Sequence, residues 1–181
     1  MVRVMRMLAE YDHKNYIENG TVGIRPSVRG VVIRGDKIAL VYSSKYDYYK
    51  FPGGGIDEGE THQQTLIREV LEESGLVVIP SSIKEYGVVL KKEKGKYQDL
   101  FIQESFYYFC DAEREEKIHE MDDDEREEGF MLKWVDPKEA IETNLHHDHG
   151  EKSNVLAKNM MLREANVLKM LIDENYFSKD K

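Results

Sequence analysis

The chain contains a single cysteine, Cys110, which excludes both an intrachain disulfide and a multi-cysteine zinc site. It has no uninterrupted apolar stretch long enough to span a membrane. Its first residues, MVRVMRMLAEYDH, lack the apolar core of a secretory signal peptide. We therefore expect a soluble, cytoplasmic protein that does not bind membranes.

Positive charge is scarce, since 26 lysines and arginines stand against 35 aspartates and glutamates, giving a net charge of −9. A general binder of long nucleic acid needs clustered positive charge, so this balance disfavours such a function. A small phosphorylated ligand stays compatible, because a bound cation reverses the local field. With 181 residues, 40% of them hydrophobic, the chain is expected to form one domain, 1–181, with a substantial core.

The most informative segment, residues 54–76, reads GGIDEGETHQQTLIREVLEESGL. A glycine-rich turn opens it, and the rest has the pattern of an α-helix. Thr61 is the expected N-cap of this helix, because its hydroxyl can accept a hydrogen bond from the first turn. Gly75 is the expected C-terminal stop, because glycine readily adopts the left-handed conformation that ends a helix.

Three carboxylates of the predicted helix, Glu69, Glu72 and Glu73, fall within one third of its circumference at about 100° per residue. His62 is expected on the same face near the helix start. Like charges at these spacings destabilise a helix by roughly a few tenths of a kcal/mol per pair, which suggests that they have a use. Mg²⁺ and Mn²⁺ prefer carboxylate and water oxygens. The pattern thus favours a divalent-metal site, with a solvated acidic face as the alternative.

The spacing of the whole segment is more specific than the carboxylates alone. It reads Gly54, five residues, Glu60, seven residues, Arg68-Glu69, two residues, Glu72-Glu73, one residue, and Gly75-Leu76. It resembles the Nudix box of the MutT-like hydrolases at every specified position, and the preceding Phe51-Pro52-Gly53 is similar to the usual approach to that box. The resemblance implies an α/β fold, a Nudix-like α/β/α sandwich with a curved mixed β-sheet between helices.

The activity that the resemblance implies is metal-dependent hydrolysis of a nucleoside diphosphate linked to another group, by attack of water at phosphorus. The implied cofactor is Mg²⁺, with Mn²⁺ as a substitute, and the implied partner is a small nucleotide such as a nucleoside triphosphate, ADP-ribose or a similar conjugate. A Nudix-like module that binds a nucleotide or sugar nucleotide without hydrolysing it is the alternative. The complete carboxylate set favours the enzyme.

The resemblance also implies roles for individual residues. The implied metal ligands are Glu69, Glu72 and Glu73, with Glu60 as a further candidate. Among the implied catalytic residues, Glu69 accepts a proton from the attacking water, Arg68 orients a glutamate by a charge-assisted hydrogen bond, and Glu73 joins them. Gly53 and Gly54 are expected to approach the substrate closely.

The resemblance also implies a residue outside the box that completes the metal site or acts as the base. The candidates precede the Trp134 strand and are Glu120, Asp122, Asp123, Asp124, Glu125, Glu127 and Glu128. We favour Glu127 or Glu128, because they lie closest to that strand, while a solvated loop charge is the alternative for each acid. Their segment, 111–128, is densely charged and poor in apolar residues, which predicts a surface loop or a loose helix.

The rest of the chain predicts further strands and helices. The expected strands are 29–33 and 38–43, joined by a turn at Gly35-Asp36, then the hairpin 83–91 and 100–110, and finally 130–135. The expected helices run from an N-cap at Asp136 through Thr143, and over about 153–175. Methionines on the last helix predict core packing or a homodimer interface. The cluster His146-His147-Asp148-His149 is expected to be an exposed loop, with a transition-metal site as the alternative.

Overall fold

The computed structural model describes residues 5–116 and 123–177. The strands of these residues are β1 (Met7–Asp12), β2 (Val22–Val31), β3 (Ile33–Arg34), β4 (Lys37–Ser43), β5 (Tyr48–Lys50), β6 (Leu76–Val78), β7 (Lys84–Glu93), β8 (Leu100–Phe109), β9 (Ala112–Glu116) and β10 (Phe130–Val135). The α-helices are α1 (His62–Ser74), α2 (Asp123–Glu128), α3 (Pro137–His146) and α4 (Val155–Asp173). Within the described ranges, no helix is both long and apolar enough to cross a membrane.

One four-stranded sheet is mixed and has the strand order β1-β7-β8-β2. Strands β7 and β8 form an antiparallel hairpin, whereas β1 pairs parallel with β7 and β2 pairs parallel with β8. A second sheet has the order β10-β4-β3, with β5 paired to β4. A short pair joins β6 to β9, and an isolated bridge joins Ser27 of β2 to Gly55.

Helices cover both faces of these sheets, and strand β4 shows why. One core contains Ile38, Leu40, Ala140, Val167, Leu168 and Leu171, and the other contains Val28, Ala39, Leu66 and Val70. Because neighbouring residues of a strand point to opposite faces, Ile38 and Leu40 pack against α3 and α4, whereas Ala39 packs against α1. The expected α/β fold with a mixed sheet between helices is therefore confirmed.

Most of the predicted elements are present, with shifted ends. Helix α1 has Thr61 as its N-cap and Gly75, in the left-handed conformation, as its C-cap, as predicted. Helix α3 has its predicted N-cap, Asp136, but continues three residues beyond Thr143. The turn at Gly35 and the β7–β8 hairpin are also confirmed.

The interpretation of 111–128 as a loop or loose helix is only partly right. Strand β9 lies within it and pairs with β6, and helix α2 forms at its end. Strand β6 follows directly after the helix stop at Gly75, and Ala112 of β9 packs against the core beneath α1. Strand β1 was not predicted. On α4, Met161 is buried in the core, so at least this methionine packs internally; a homodimer stays a prediction.

Two buried polar side chains fix α3 and α4 to the strand that leads into the glycine turn. Asn144 of α3 accepts from the backbone N–H of Tyr49 at 2.8 Å and donates to its carbonyl oxygen at 2.9 Å. Glu164 of α4 is only 1% exposed and accepts from the backbone N–H of Phe51 at 2.8 Å. Arg163 neutralises Glu164 at 2.6 Å. Each contact satisfies a backbone group of this segment with a side chain from a distant helix.

We expect Glu164→Gln to lower the free energy of unfolding by about 3–5 kcal/mol, because it leaves the Arg163 charge buried without a counter-charge. As a control, Glu174→Gln removes the exposed ion pair with Arg6 and should cost about 1 kcal/mol or less. Urea unfolding followed by the fluorescence of Trp134 measures both variants. Equal losses in the two variants would contradict the assignment of Glu164 as a buried anchor.

Candidate active site

The glycine turn before α1 lies directly against strand β2. The backbone N–H of Gly30 donates to the carbonyl oxygen of Pro52 at 2.8 Å, and the N–H of Val28 donates to that of Gly54 at 2.9 Å. Gly53 has a φ of +144°, and a Cβ there would clash with the carbonyl oxygen of Val28. Only glycine can occupy this position without displacing β2.

Glu73 joins the glycine turn to helix α1. Its side chain is 6% exposed and accepts from the backbone N–H of Gly53 at 2.8 Å and from Nζ of Lys50 at 2.7 Å. The Lys50 ammonium also lies 4.4 Å from the ring centre of Phe130. Lys50 was not among the predicted site residues. Its position directly before Phe51-Pro52-Gly53 was the available signal.

Arg68 gathers the acidic side chains of the segment around one guanidinium group. It donates to both carboxylate oxygens of Glu60, at 2.9 and 2.7 Å, to Glu69 at 2.8 Å and to Glu72 at 3.1 Å. These bonds, first among them those from Arg68, lower the pKa of Glu60 to about 2. Together the carboxylates raise the pKa of Arg68 above its ordinary value. The arginine thus offsets their mutual repulsion and fixes their positions.

The Glu69 carboxylate lies over the backbone of Gly54, where a Cβ would clash with it. Burial raises the pKa of Glu69, and the charges of Glu73 and Glu72 raise it further, while the hydrogen bond from Arg68 lowers it. A carboxylate with a raised pKa is a better proton acceptor than an exposed one once it is ionised. The structure thus places the Glu69 carboxylate at the glycine turn, and its role as proton acceptor stays a prediction.

The two favoured acids outside the segment point in different directions. Glu128 is 15% exposed; it accepts from the hydroxyl of Tyr48 at 2.6 Å and pairs with Lys152 at 2.6 Å. Burial first, then the hydrogen bond to Glu128 and the charges of Glu128 and Glu73, raise the pKa of Tyr48. Glu127 is 72% exposed and pairs with Lys45 at 2.8 Å.

The other acidic candidates are not brought to the box by any described contact. Glu120 and Asp122 lie outside the described residues, and Asp124 and Glu125 lie on α2. Asp123 is exposed, and its nearest cation is Arg126 of the same helix, at 3.7 Å.

The prediction of an exposed histidine loop is wrong for His149. It is buried, with 4% exposure, and its ring nitrogens lie 3.0 Å from the carbonyl oxygen of Tyr46 and 3.2 Å from that of Asn144. The neighbouring His147 is 46% exposed and pairs with Asp47 at 2.7 Å. His62 has its own contacts, since its Nδ1 lies 2.7 Å from the hydroxyl of Tyr108 and its ring packs on Phe106.

The carboxylate oxygens of Glu69, Glu72 and Glu73 are of the type that a hard divalent cation prefers as ligands. Across residues 5–116 and 123–177, no three His, Cys, Asp or Glu side chains converge into a ready-made metal cage. The carboxylates instead accept hydrogen bonds from Arg68 and Lys50. All of the side-chain donors are nevertheless oxygens, and Mg²⁺ retains several waters and needs only one or two protein carboxylates. Glu69, Glu72 and Glu73 can therefore supply a site by exchanging contacts with Arg68 and Lys50 for contacts with the ion.

Comparison with known proteins identifies the family. A family model described as the NUDIX domain matches residues 23–157. The chain belongs to the Nudix family. The resemblance seen in residues 54–76 is therefore confirmed over most of the chain.

Individual relatives match over shorter lengths or at lower identity. The chain is 45% identical over 56 residues to proteins named RNA pyrophosphohydrolase from Actinobacillus succinogenes and Photobacterium profundum. The match covers 30% of this chain and 28% and 32% of those two proteins, so it spans about a third of their length or less. A NUDIX hydrolase structure from Nitrosomonas europaea is similar in fold, with a TM-score of 0.52 and 18% identity over 80% of this chain and 90% of that one.

Two adjacent glycines of the Nudix box provide a matched test of the Glu69 position. Gly54→Ala places a methyl group against the Glu69 carboxylate, whereas the Cβ of Gly55→Ala meets only Arg25, at an ordinary 3.8 Å. We expect Gly54→Ala to weaken Mn²⁺ binding about tenfold or more, since a displaced support of a metal site typically costs 10–100-fold in affinity. Gly55→Ala should stay within about twofold. Electron paramagnetic resonance of free Mn²⁺ measures both, and equal affinities would contradict the prediction.

Proposed function

We propose that this Nudix protein is a metal-dependent pyrophosphohydrolase that cleaves a nucleoside diphosphate linked to another group. The observation that carries the proposal is the arrangement of Glu60, Glu69 and Glu72 around Arg68, with Glu69 over the glycine turn. The substrate class comprises nucleoside triphosphates, ADP-ribose and similar conjugates. The name of the relatives adds RNA to the candidates, but the net charge of −9 favours a small nucleotide.

In this reaction, Glu69 accepts a proton from the water that attacks phosphorus, and Arg68 holds its carboxylate in place. Glu69, Glu72 and Glu73 would hold Mg²⁺ or Mn²⁺, with Glu60 as an outer support through Arg68. When bound, such an ion would neutralise the diphosphate charge, activate water and orient the reacting groups. Gly53 and Gly54, which carry no side chain, let the substrate approach the carboxylates closely. Glu128 is the acid outside the box that completes the site.

A nucleotide-binding module without hydrolysis is the second candidate. One observation favours it: Glu60, Glu69, Glu72 and Glu73 are each already paired with Arg68 or Lys50, as in a purely structural ion-pair network. A binding module would keep these pairs when its ligand is present. An enzyme must exchange some of them for a metal ion, so metal binding separates the two functions.

A panel of nucleoside triphosphates, ADP-ribose and 5′-triphosphorylated RNA, with and without Mg²⁺ or Mn²⁺, tests the proposal by the identity of the products. We expect cleavage of at least one small nucleotide that stops when EDTA is added. Nucleotide binding without any metal-dependent product would instead identify a binding module.

Glu72→Gln is the sharper variant for the metal site, because Glu72 contacts only Arg68 among the described groups, whereas Glu73 also holds Gly53 and Lys50. We expect Glu72→Gln to lower turnover by about a hundredfold or more, as loss of a metal ligand removes several kcal/mol of transition-state stabilisation. Glu58→Gln removes the same charge from an exposed position of the loop before α1 and should change turnover less than about twofold. Similar turnover in both variants would exclude Glu72 as a ligand.

The role of Glu128 as the acid outside the box can be tested against its sequence neighbour Glu127, which serves as the control. We expect Glu128→Gln to lower turnover about tenfold or more, and Glu127→Gln, which loses only an exposed pair with Lys45, to leave it nearly unchanged. Thermal unfolding of both variants separates loss of activity from loss of stability. If Glu128→Gln is less stable but equally active, its bonds to Tyr48 and Lys152 have only a structural role.

A further inference from the structure

A cavity of about 220 Å³ lies between strands β1, β2, β7 and β8 on one side and helix α4 on the other. We call it the Arg29 cavity. Its polar lining includes Arg29, Lys91, Gln103, Asn159 and Arg163. The volume is below the roughly 300–1,000 Å³ of pockets that hold a whole drug-sized ligand. The cavity therefore suits one part of a nucleotide rather than the whole molecule.

The lining of the Arg29 cavity has more positive than negative charge. Arg163 is paired with Glu164 at 2.6 Å, and Lys91 with Glu93 at 2.6 Å. Within the described part of the chain, Arg29 has no ion-pair partner, and its buried Nε has no hydrogen-bond partner. A partly buried guanidinium without a counter-charge is unfavourable unless an anion or another acceptor reaches it.

Arg29 also connects the cavity to the box. Its Nη1 donates to the carbonyl oxygen of Gly53, whose N–H donates to Glu73. The Arg29 guanidinium is thus fixed at the carbonyl oxygen of Gly53, whereas the Glu73 carboxylate contacts the N–H of the same residue. A ligand that extends from the box into the cavity passes from a metal-binding region to an uncompensated cation.

We propose that the Arg29 cavity binds a phosphate group of the substrate other than the phosphorus that water attacks, with Arg29 as the residue that determines this specificity. Arginine suits phosphate because its donors form a planar fork that matches two oxygens. The amides of Gln103 and Asn159 add neutral donors that can bond further phosphate oxygens. No carboxylate belongs to the described lining to repel such a group. The proposal rests on the proposed function only in calling the bound molecule a substrate.

The test uses AMP and adenosine as probes in EDTA, so that binding does not depend on the metal site. Isothermal titration calorimetry should show that the wild-type protein binds AMP about tenfold or more tightly than adenosine, as expected for a charge-assisted contact to phosphate. Arg29→Gln should abolish this preference, and Arg29→Lys should restore only part of it. Arg6→Gln removes an exposed arginine, which pairs with Glu174 away from the cavity lining, and should leave the preference unchanged.

Lys91→Gln provides an independent variant, because Lys91 lines the same cavity without contacting the glycine turn. It should reduce AMP affinity about threefold or more while leaving adenosine affinity unchanged. Equal binding of AMP and adenosine by the wild-type protein, or an unchanged preference in Arg29→Gln or, if that variant fails to fold, in Lys91→Gln, would overturn the proposal. Because the experiment contains no divalent ion, these outcomes are independent of whether the nucleotide panel shows hydrolysis.

Discussion

The arrangement of the site depends on the close approach of the glycine turn to strand β2. The hydrogen bonds of Gly30 and Val28 to this turn leave no room for a side chain at Gly53. With the turn held there, the backbone N–H of Gly53 meets Glu73, and the backbone of Gly54 supports the Glu69 carboxylate. Two of the implied metal ligands are therefore positioned by backbone that cannot move without breaking the sheet contact.

The same arrangement brings several carboxylates close together, and two cationic side chains offset the repulsion between them. Arg68 lies among Glu60, Glu69 and Glu72, and Lys50 pairs with the buried Glu73. A divalent ion would bring more positive charge to the same oxygens, so it competes with both side chains. We infer that the cations keep the carboxylates in place before the ion arrives. Such prior positioning reduces the rearrangement that metal binding requires.

The local features of the sequence predicted the box region well, because the interactions concerned are short in sequence. Thr61 and Gln64 form the cap of α1 from neighbouring residues, and Gly75 ends the helix through its own backbone conformation. The anchors were not predicted, because their partners are distant. Glu164 lies 113 residues from Phe51, and no periodic pattern indicates that a carboxylate on an apolar helix will meet a backbone N–H so far away. The Nudix resemblance predicted the fold but carried no information on Lys50 or Arg29.

Gly53 separates two regions of opposite charge. Its N–H faces the acidic box through Glu73, and its carbonyl oxygen faces the Arg29 cavity. A protein with a net charge of −9 can thus attract a polyanion locally, because the repulsive carboxylates lie where a metal ion is expected and the uncompensated guanidinium lies beyond them. A substrate bound in the reverse direction would place its metal-bound diphosphate against Arg29 and its other end against carboxylates. Under the proposed function, the charge distribution therefore favours the orientation in which the diphosphate lies beside Glu69.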